Sequence, residues 1–133
     1  MSQKRILIIE DNLLNLELAT DLLAANGYMI FSTQTAEEGL RLARELLPDL
    51  VLMDFSLPGM DGLAATKNLK SDPATSHLTV VGLTANAMKG DAEAALNAGC
   101  DGYLTKPIDT RTFVTAVTEF IEETKMRRPE KNT

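Results

Sequence analysis

At 133 residues, 44% of them hydrophobic, the chain is long enough to bury one core and too short for two, which excludes both a disordered protein and a multidomain one. A net charge of −6 with no basic stripe argues against direct contact with nucleic acid phosphates and against acidic partners. No stretch nears the roughly 18 consecutive apolar residues of a membrane span, no charged-then-apolar leader precedes the first apolar run, and the lone Cys100 cannot close an internal disulfide; a cytoplasmic protein with no membrane attachment is expected.

Arg5 to Ile9 is a short β-branched apolar run that ends on two acids, Glu10 and Asp11, and reads as the first strand. Asn12 can cap the helix that follows, in which Leu14, Leu18, Leu22 and Ala25 recur at helical spacing until Gly27 stops it. Tyr28 to Ser32 is a second strand. Thr35 and Glu38 form a capping box for a second helix with Ala36, Leu40, Ala43 and Leu47 on one face, closed by Pro48. Leu50 to Met53 is an unbroken apolar run without period-two alternation, so it predicts a central strand covered on both faces, and Asp54 follows it directly. Read alone, Asp54 is equally well the start of a turn, because Ser56, Pro58, Gly59, Asp61 and Gly62 come next.

Asp61 caps a third helix to about Lys70, and a polar connection containing Pro73 and His77 leads into a fourth strand, Leu78 to Leu83, ending on Thr84. His77, the only histidine, reads as incidental surface in that connection. The fourth helix runs from about Ala87 to Ala98 with Met88, Ala92, Ala95 and Leu96 inward and Gly99 as terminator. Cys100, next to a predicted strand, reads as a small buried hydrophobe. Gly102 to Thr105 is the fifth strand, ending on Lys106 and Pro107, and Asp109 caps a fifth helix whose Phe113, Val117, Phe120 and Ile121 can pack on the sheet. Residues 1–124 form the domain on this reading, and 125–133 a frayed tail.

Five alternations of strand and helix with right-handed crossovers predict an α/β fold. It is a doubly wound, three-layer sandwich around a parallel five-stranded sheet of order 2-1-3-4-5, the flavodoxin-like arrangement. In such a sheet the ligand crevice lies beyond the carboxyl ends of the strands, where Glu10, Asp11, Asp54, Thr84 and Lys106 all fall. Three carboxylates within about 4 Å would repel by about 4 kcal/mol per pair at an effective dielectric near 20. A raised pKa or a bound cation must compensate. An all-oxygen set with open positions suits magnesium, and Lys106 supplies a fixed positive charge opposite.

With no histidine or cysteine in it, the crevice is poor for acid and base chemistry and suited to phosphoryl transfer, where positioning and charge neutralisation dominate. Asp54 as acceptor would form an acyl phosphate. Thr84 could donate its hydroxyl to the new group, and Ala85 leaves room for its approach.

From about Lys4 to Glu122 the chain resembles the receiver domain of two-component response regulators, the CheY-like domain of bacterial signalling. The resemblance rests on Ile9-Glu10-Asp11-Asn12, on Asp49 to Asp54 with Leu57 to Gly62, on Leu83-Thr84-Ala85, and on Tyr103 to Pro107, all in order. It implies that Asp54 takes phosphate from a phosphohistidine, that Glu10, Asp11, Asp54 and the main-chain carbonyl of Ser56 bind Mg2+, and that Thr84 and Lys106 contact the phosphoryl group. It also implies a cis Lys106-Pro107 bond, a switch role for Thr84 and Tyr103, and tuning of phosphoryl lifetime by Ser56 and Asn86. Tyr103 has an alternative reading as an ordinary half-buried strand aromatic.

The partners implied are a sensor histidine kinase or histidine phosphotransfer protein and a downstream protein target, engaged through the fourth helix, fifth strand and fifth helix, a face that also allows a homodimer. Such a domain is no turnover enzyme and catalyses only its own phosphotransfer and dephosphorylation. The segment Asn86 to Asp91, with Ala98 to Cys100 and Lys106 to Ile108, is also similar to two narrower groups, DivK-like single-domain regulators and the receivers of hybrid histidine kinases. A chain ending just past the fifth helix leaves no room for an output domain, which favours a stand-alone shuttle.

Two rivals share the architecture. A flavodoxin-like nucleotide binder needs a phosphate-cradling loop after the first strand, where this chain has Glu10-Asp11. An aspartyl phosphatase of the haloacid dehalogenase type resembles Asp-x-Asp, whereas this chain has Asp54-Phe55-Ser56 and lacks the second acid that would protonate a leaving group.

Overall fold

The computed structural model describes residues 3–55, 61–85 and 91–127. Strand and helix alternate as β1 (Arg5–Ile9), α1 (Leu13–Ala25), β2 (Met29–Thr33), α2 (Ala36–Leu46), β3 (Leu50–Asp54), α3 (Gly62–Ser71), β4 (Thr79–Thr84), α4 (Asp91–Ala98), β5 (Gly102–Thr105) and α5 (Phe113–Arg127). The strands form one sheet of order β2-β1-β3-β4-β5, every pair parallel. This is the doubly wound arrangement expected from the alternation of elements.

The period of two along a strand divides the core. Leu7 and Ile9 of β1, with Val51 and Met53 of β3, pack against Ala36, Leu40 and Ala43 of α2 and Ala65 and Leu69 of α3, while Ala95 of α4 joins the same cluster. Ile6, Ile8, Leu50 and Leu52 point to the other face, where Ala19 and Leu23 of α1 and Phe113, Val117 and Ile121 of α5 cover them. Because β3 is buried along its whole length, its acid-terminated end is held by a rigid, fully packed strand.

Helix ends follow local chemistry. Asn12, Thr35 and Asp61 each accept a hydrogen bond from the amide three residues on, satisfying a donor of the first turn. The Thr35 cap is half of a capping box, since the Glu38 carboxylate is engaged by Arg41. Gly99 ends α4 at a positive φ of 103°, a conformation that favours glycine. At the end of α2, Leu47 takes that left-handed role with φ 46°, its amide donating to Ala43 O, so the helix ends at Leu46, and Leu47, expected on the packed face, is instead 44% exposed.

Several expectations shift. In α1 the buried residues are Ala19 and Leu23, with Leu16 and Leu22 half-buried, whereas Leu14 is 77% exposed and Ala25 lies at the surface. The helix carries leucine and alanine around most of its circumference, so several stripes satisfy the 3.6-residue period and only docking on the sheet selects one. In α4, Ala95 and Ala98 are buried but Leu96 is 60% exposed, for it sits about 100° around the helix from Ala95. β2 and β4 each start one residue later than expected, at Met29 and Thr79. Finally, α5 begins at Phe113 after a turn whose amides, from Arg111 to Phe113, bond Asp109, and it continues to Arg127, past the expected domain boundary at 124. Met88, Asn86 and the 128–133 stretch lie outside the described residues. Among the described residues no helix is long and apolar enough to cross a membrane. Cys100 is buried, its thiol 3.9 Å from Thr66 Oγ1 and pushed up to about 11 by burial, and His77 is exposed.

Candidate functional site

The register of the sheet decides which strand-end residues meet. Ile9 pairs with Met53, so Glu10 and Asp54 are the next residues on adjacent strands. Asp54 pairs with Leu83 and Thr84 with Thr105, which brings Thr84 and Lys106 to the same edge. The backbone holds this rim beyond the regular ladder: Glu10 N donates to Thr33 O at 3.0 Å, Phe55 N to Leu83 O at 3.0 Å, and Lys106 N to Thr84 O at 2.8 Å. The Lys106-Pro107 peptide bond is cis.

Carboxylate oxygens of Glu10, Asp11 and Asp54 lie within 4.8 Å of one another. Glu10 and Asp54 are buried, at 1% and 0% exposure, whereas Asp11 is exposed. Lys106 reaches over them, its Nζ 3.1 Å from Glu10 Oε1 and 3.1 Å from Asp54 Oδ1. Burial pushes the Glu10 carboxyl above its ordinary value; the Asn12 amide, donating to Oε2 at 3.0 Å, pulls it down, and the neighbouring Asp54 carboxylate pushes it further up. Burial alone would lower the Lys106 ammonium, but its contacts with Asp54 and Glu10 outweigh that and hold it above its ordinary value.

Three carboxylates facing one ammonium leave the pocket with excess negative charge and a donor set made entirely of oxygen, and two of the acids are already desolvated. Such a set fits a hard divalent cation of the magnesium type. Thr84 is buried at the same rim, and Tyr103 of β5 is half-buried, paired in register with Gly82. Ser56 and Asn86, expected as a metal ligand and as lifetime-tuning positions, lie outside the described residues.

β2 contributes to this rim as well. Gln34, the residue after β2, donates from Nε2 to Asp11 O at 3.2 Å and so braces the acidic loop from the neighbouring strand. The same rule that singled out Glu10, Asp54, Thr84 and Lys106 would have found it, since β2 is adjacent to β1. Asn12 has a second role that capping did not foretell: while its side chain caps α1, its amide fixes Glu10.

The chain, a doubly wound sheet whose crest gathers three carboxylates under one lysine, is a receiver domain: over residues 6–118 it matches the response regulator receiver domain family, to which it belongs. It is 44% identical over 118 residues to the polar-differentiation response regulator DivK of Brucella ovis, which covers 89% of this chain and 96% of that protein. Among solved structures, a CheY-like response regulator receiver domain protein from Methanospirillum hungatei matches with a TM-score of 0.86 at 28% identity, over 95% of this chain and 99% of that one. The receiver domain of a sensor histidine kinase from Pseudomonas aeruginosa matches with a TM-score of 0.83 at 30% identity, over 91% and 99%. That structure has a magnesium ion coordinated in its active-site cleft.

Proposed function

We propose that this receiver domain is a phosphorylation switch in which Asp54 accepts a phosphoryl group from a phosphohistidine of a sensor histidine kinase or histidine phosphotransfer protein. The observation that carries the reading is the Lys106 ammonium held 3.1 Å from each of two buried carboxylates at the crest of the sheet. In the transfer, an Asp54 carboxylate oxygen forms a bond to phosphorus as the phosphorus–nitrogen bond breaks, and the electron pair leaves with the imidazole. Glu10, Asp11, Asp54 and the Ser56 carbonyl would hold Mg2+, which supplies positive charge against the phosphoryl oxygens. Lys106 leaves part of its ion pairing with Glu10 and Asp54 to meet the transferred group, and the Thr84 hydroxyl donates to it.

The switch is a two-state equilibrium. When Thr84 turns toward the phosphoryl group, the half-buried ring of Tyr103 turns inward, and α4, β5 and α5 present a changed face to a downstream protein or to a second copy of the chain. Ser56 and Asn86 set how long the acyl phosphate persists. Signalling through protein contact in the cytoplasm, by a single domain that closes with α5, fits the acidic net charge and the similarity to DivK.

Incubation with phosphoramidate, followed by phosphate-affinity electrophoresis, tests the reading. Wild type is phosphorylated with Mg2+ and not with EDTA, and Asp54→Ala gives no shifted band; equal labelling of Asp54→Ala would remove Asp54 as the acceptor.

A further inference from the structure

The segment after the acceptor is fixed to β4 by more than its backbone. Phe55 lies two residues beyond Met53 and therefore on the same face of the sheet, where Met53 pairs with Gly82. The Phe55 ring packs into the cluster under α2, α3 and α4 and stands over Gly82: a methyl group at position 82 would overlap Phe55 Cζ and lie 2.5 Å from both Cε1 and Cε2. The Phe55 amide meanwhile donates to Leu83 O, the residue before Thr84. The first turn of α3 also closes on the main chain here, since a methyl group at Gly62 would lie 2.8 Å from Phe55 Cα and 2.9 Å from Asp54 C. Amide, ring and main chain thus grip residue 55 at three points, one covalent step from Asp54.

We propose that Phe55 is a positioning residue, its ring seated over Gly82 so that the end of β3 is held against the end of β4 and the spacing between Asp54 and Thr84 is set for phosphoryl transfer. This rests on the reading of Asp54 as acceptor. A ring packed against the core and against Gly82 has little freedom to shift, and transfer rates fall steeply on a misplacement of about 1 Å. Removing the ring frees the end of β3; adding a methyl group at Gly82 displaces the ring. The two changes act through one contact, so they do not add.

The test measures phosphorylation of the full chain by phosphoramidate at saturating Mg2+ for wild type, Phe55→Ala, Gly82→Ala and the double variant, with circular dichroism to verify native folding. Phe55→Ala and Gly82→Ala each lower the maximal rate about tenfold at unchanged half-saturating donor concentration, and the double variant reacts at the Phe55→Ala rate. A Phe55→Ala protein with the wild-type maximal rate overturns the proposal, as does a Gly82→Ala cost that persists undiminished without the ring. If Gly82→Ala fails to fold, the Phe55→Ala maximal rate alone decides. Wild type that takes no phosphate would defeat the acceptor reading itself; labelled wild type with an equally fast Phe55→Ala defeats only this inference.

Discussion

Neutralising Glu10 should make the metal-free protein more stable, although it removes an ion pair. Glu10 Oε1 is 3.1 Å from Lys106 Nζ, an attraction of about 5 kcal/mol at an effective dielectric of 20. The Asp54 carboxylate lies within 4.8 Å, a repulsion of at least about 3.5 kcal/mol on the same scale, so the two leave at most about 2 kcal/mol in favour of the charge, and the exposed Asp11 carboxylate within the same distance reduces it further. Against this stands the desolvation of a carboxylate that is 1% exposed, several kcal/mol for a buried ion. The desolvation is larger, in agreement with a Glu10 carboxyl held above its ordinary value.

Glu10→Gln keeps the shape and an acceptor for the Asn12 amide, and should stabilise the fold in EDTA at pH 7 by about 1–3 kcal/mol, read as a urea midpoint shift at constant slope. The sign can be tested by pH. With its folded value raised, wild-type Glu10 keeps its proton in the folded state longer than in the unfolded chain. The stability this contributes is present below pH 4.5 and is lost as pH rises through the raised value. The advantage of Glu10→Gln therefore shrinks as pH falls toward 4.5 and is greatest near neutrality. Saturating Mg2+ should narrow or reverse the gap, because wild type keeps a carboxylate ligand and gains about 2.7 kcal/mol at a hundredfold excess over the dissociation constant. A Glu10→Gln protein less stable than wild type in EDTA at pH 7, or a gap independent of pH, would refute the reasoning.

Lys106→Met leaves Glu10 and Asp54 facing each other without their shared cation and should lower metal-free stability by about 3 kcal/mol in the same urea assay. Since the Lys106 ammonium is held above its ordinary value, its contribution is complete below pH 10.5 and lost as pH climbs through the folded value, an alkaline loss that Lys106→Met should lack. The face of α1 that meets the sheet is checked by two truncations: Leu23→Ala should cost about 2–5 kcal/mol and Leu14→Ala under about 0.5 kcal/mol, and the reverse order would put the helix on its other side.

Much of this architecture was legible in one dimension. A strand covered on both faces must be largely apolar, so the runs that become β1, β3 and β4 announce themselves, and the caps at Asn12, Thr35 and Asp61 mark helix starts by their own hydrogen-bonding chemistry. Once parallel order is inferred, the gathering of Glu10, Asp11, Asp54, Thr84 and Lys106 follows, because every strand of such a sheet delivers its end to the same edge.

Local pattern could not choose which leucines of α1 lie inward, since a helix apolar on most sides satisfies several stripes and the choice belongs to the surface it docks on. Nor could it place the Phe55 ring over Gly82, the Gln34 amide on Asp11, or Lys106 between two acids at equal distance. These contacts join residues far apart along the chain. Periodicity and propensity act over a few residues, whereas register, packing and the field of neighbouring charges exist only after the strands have been laid side by side.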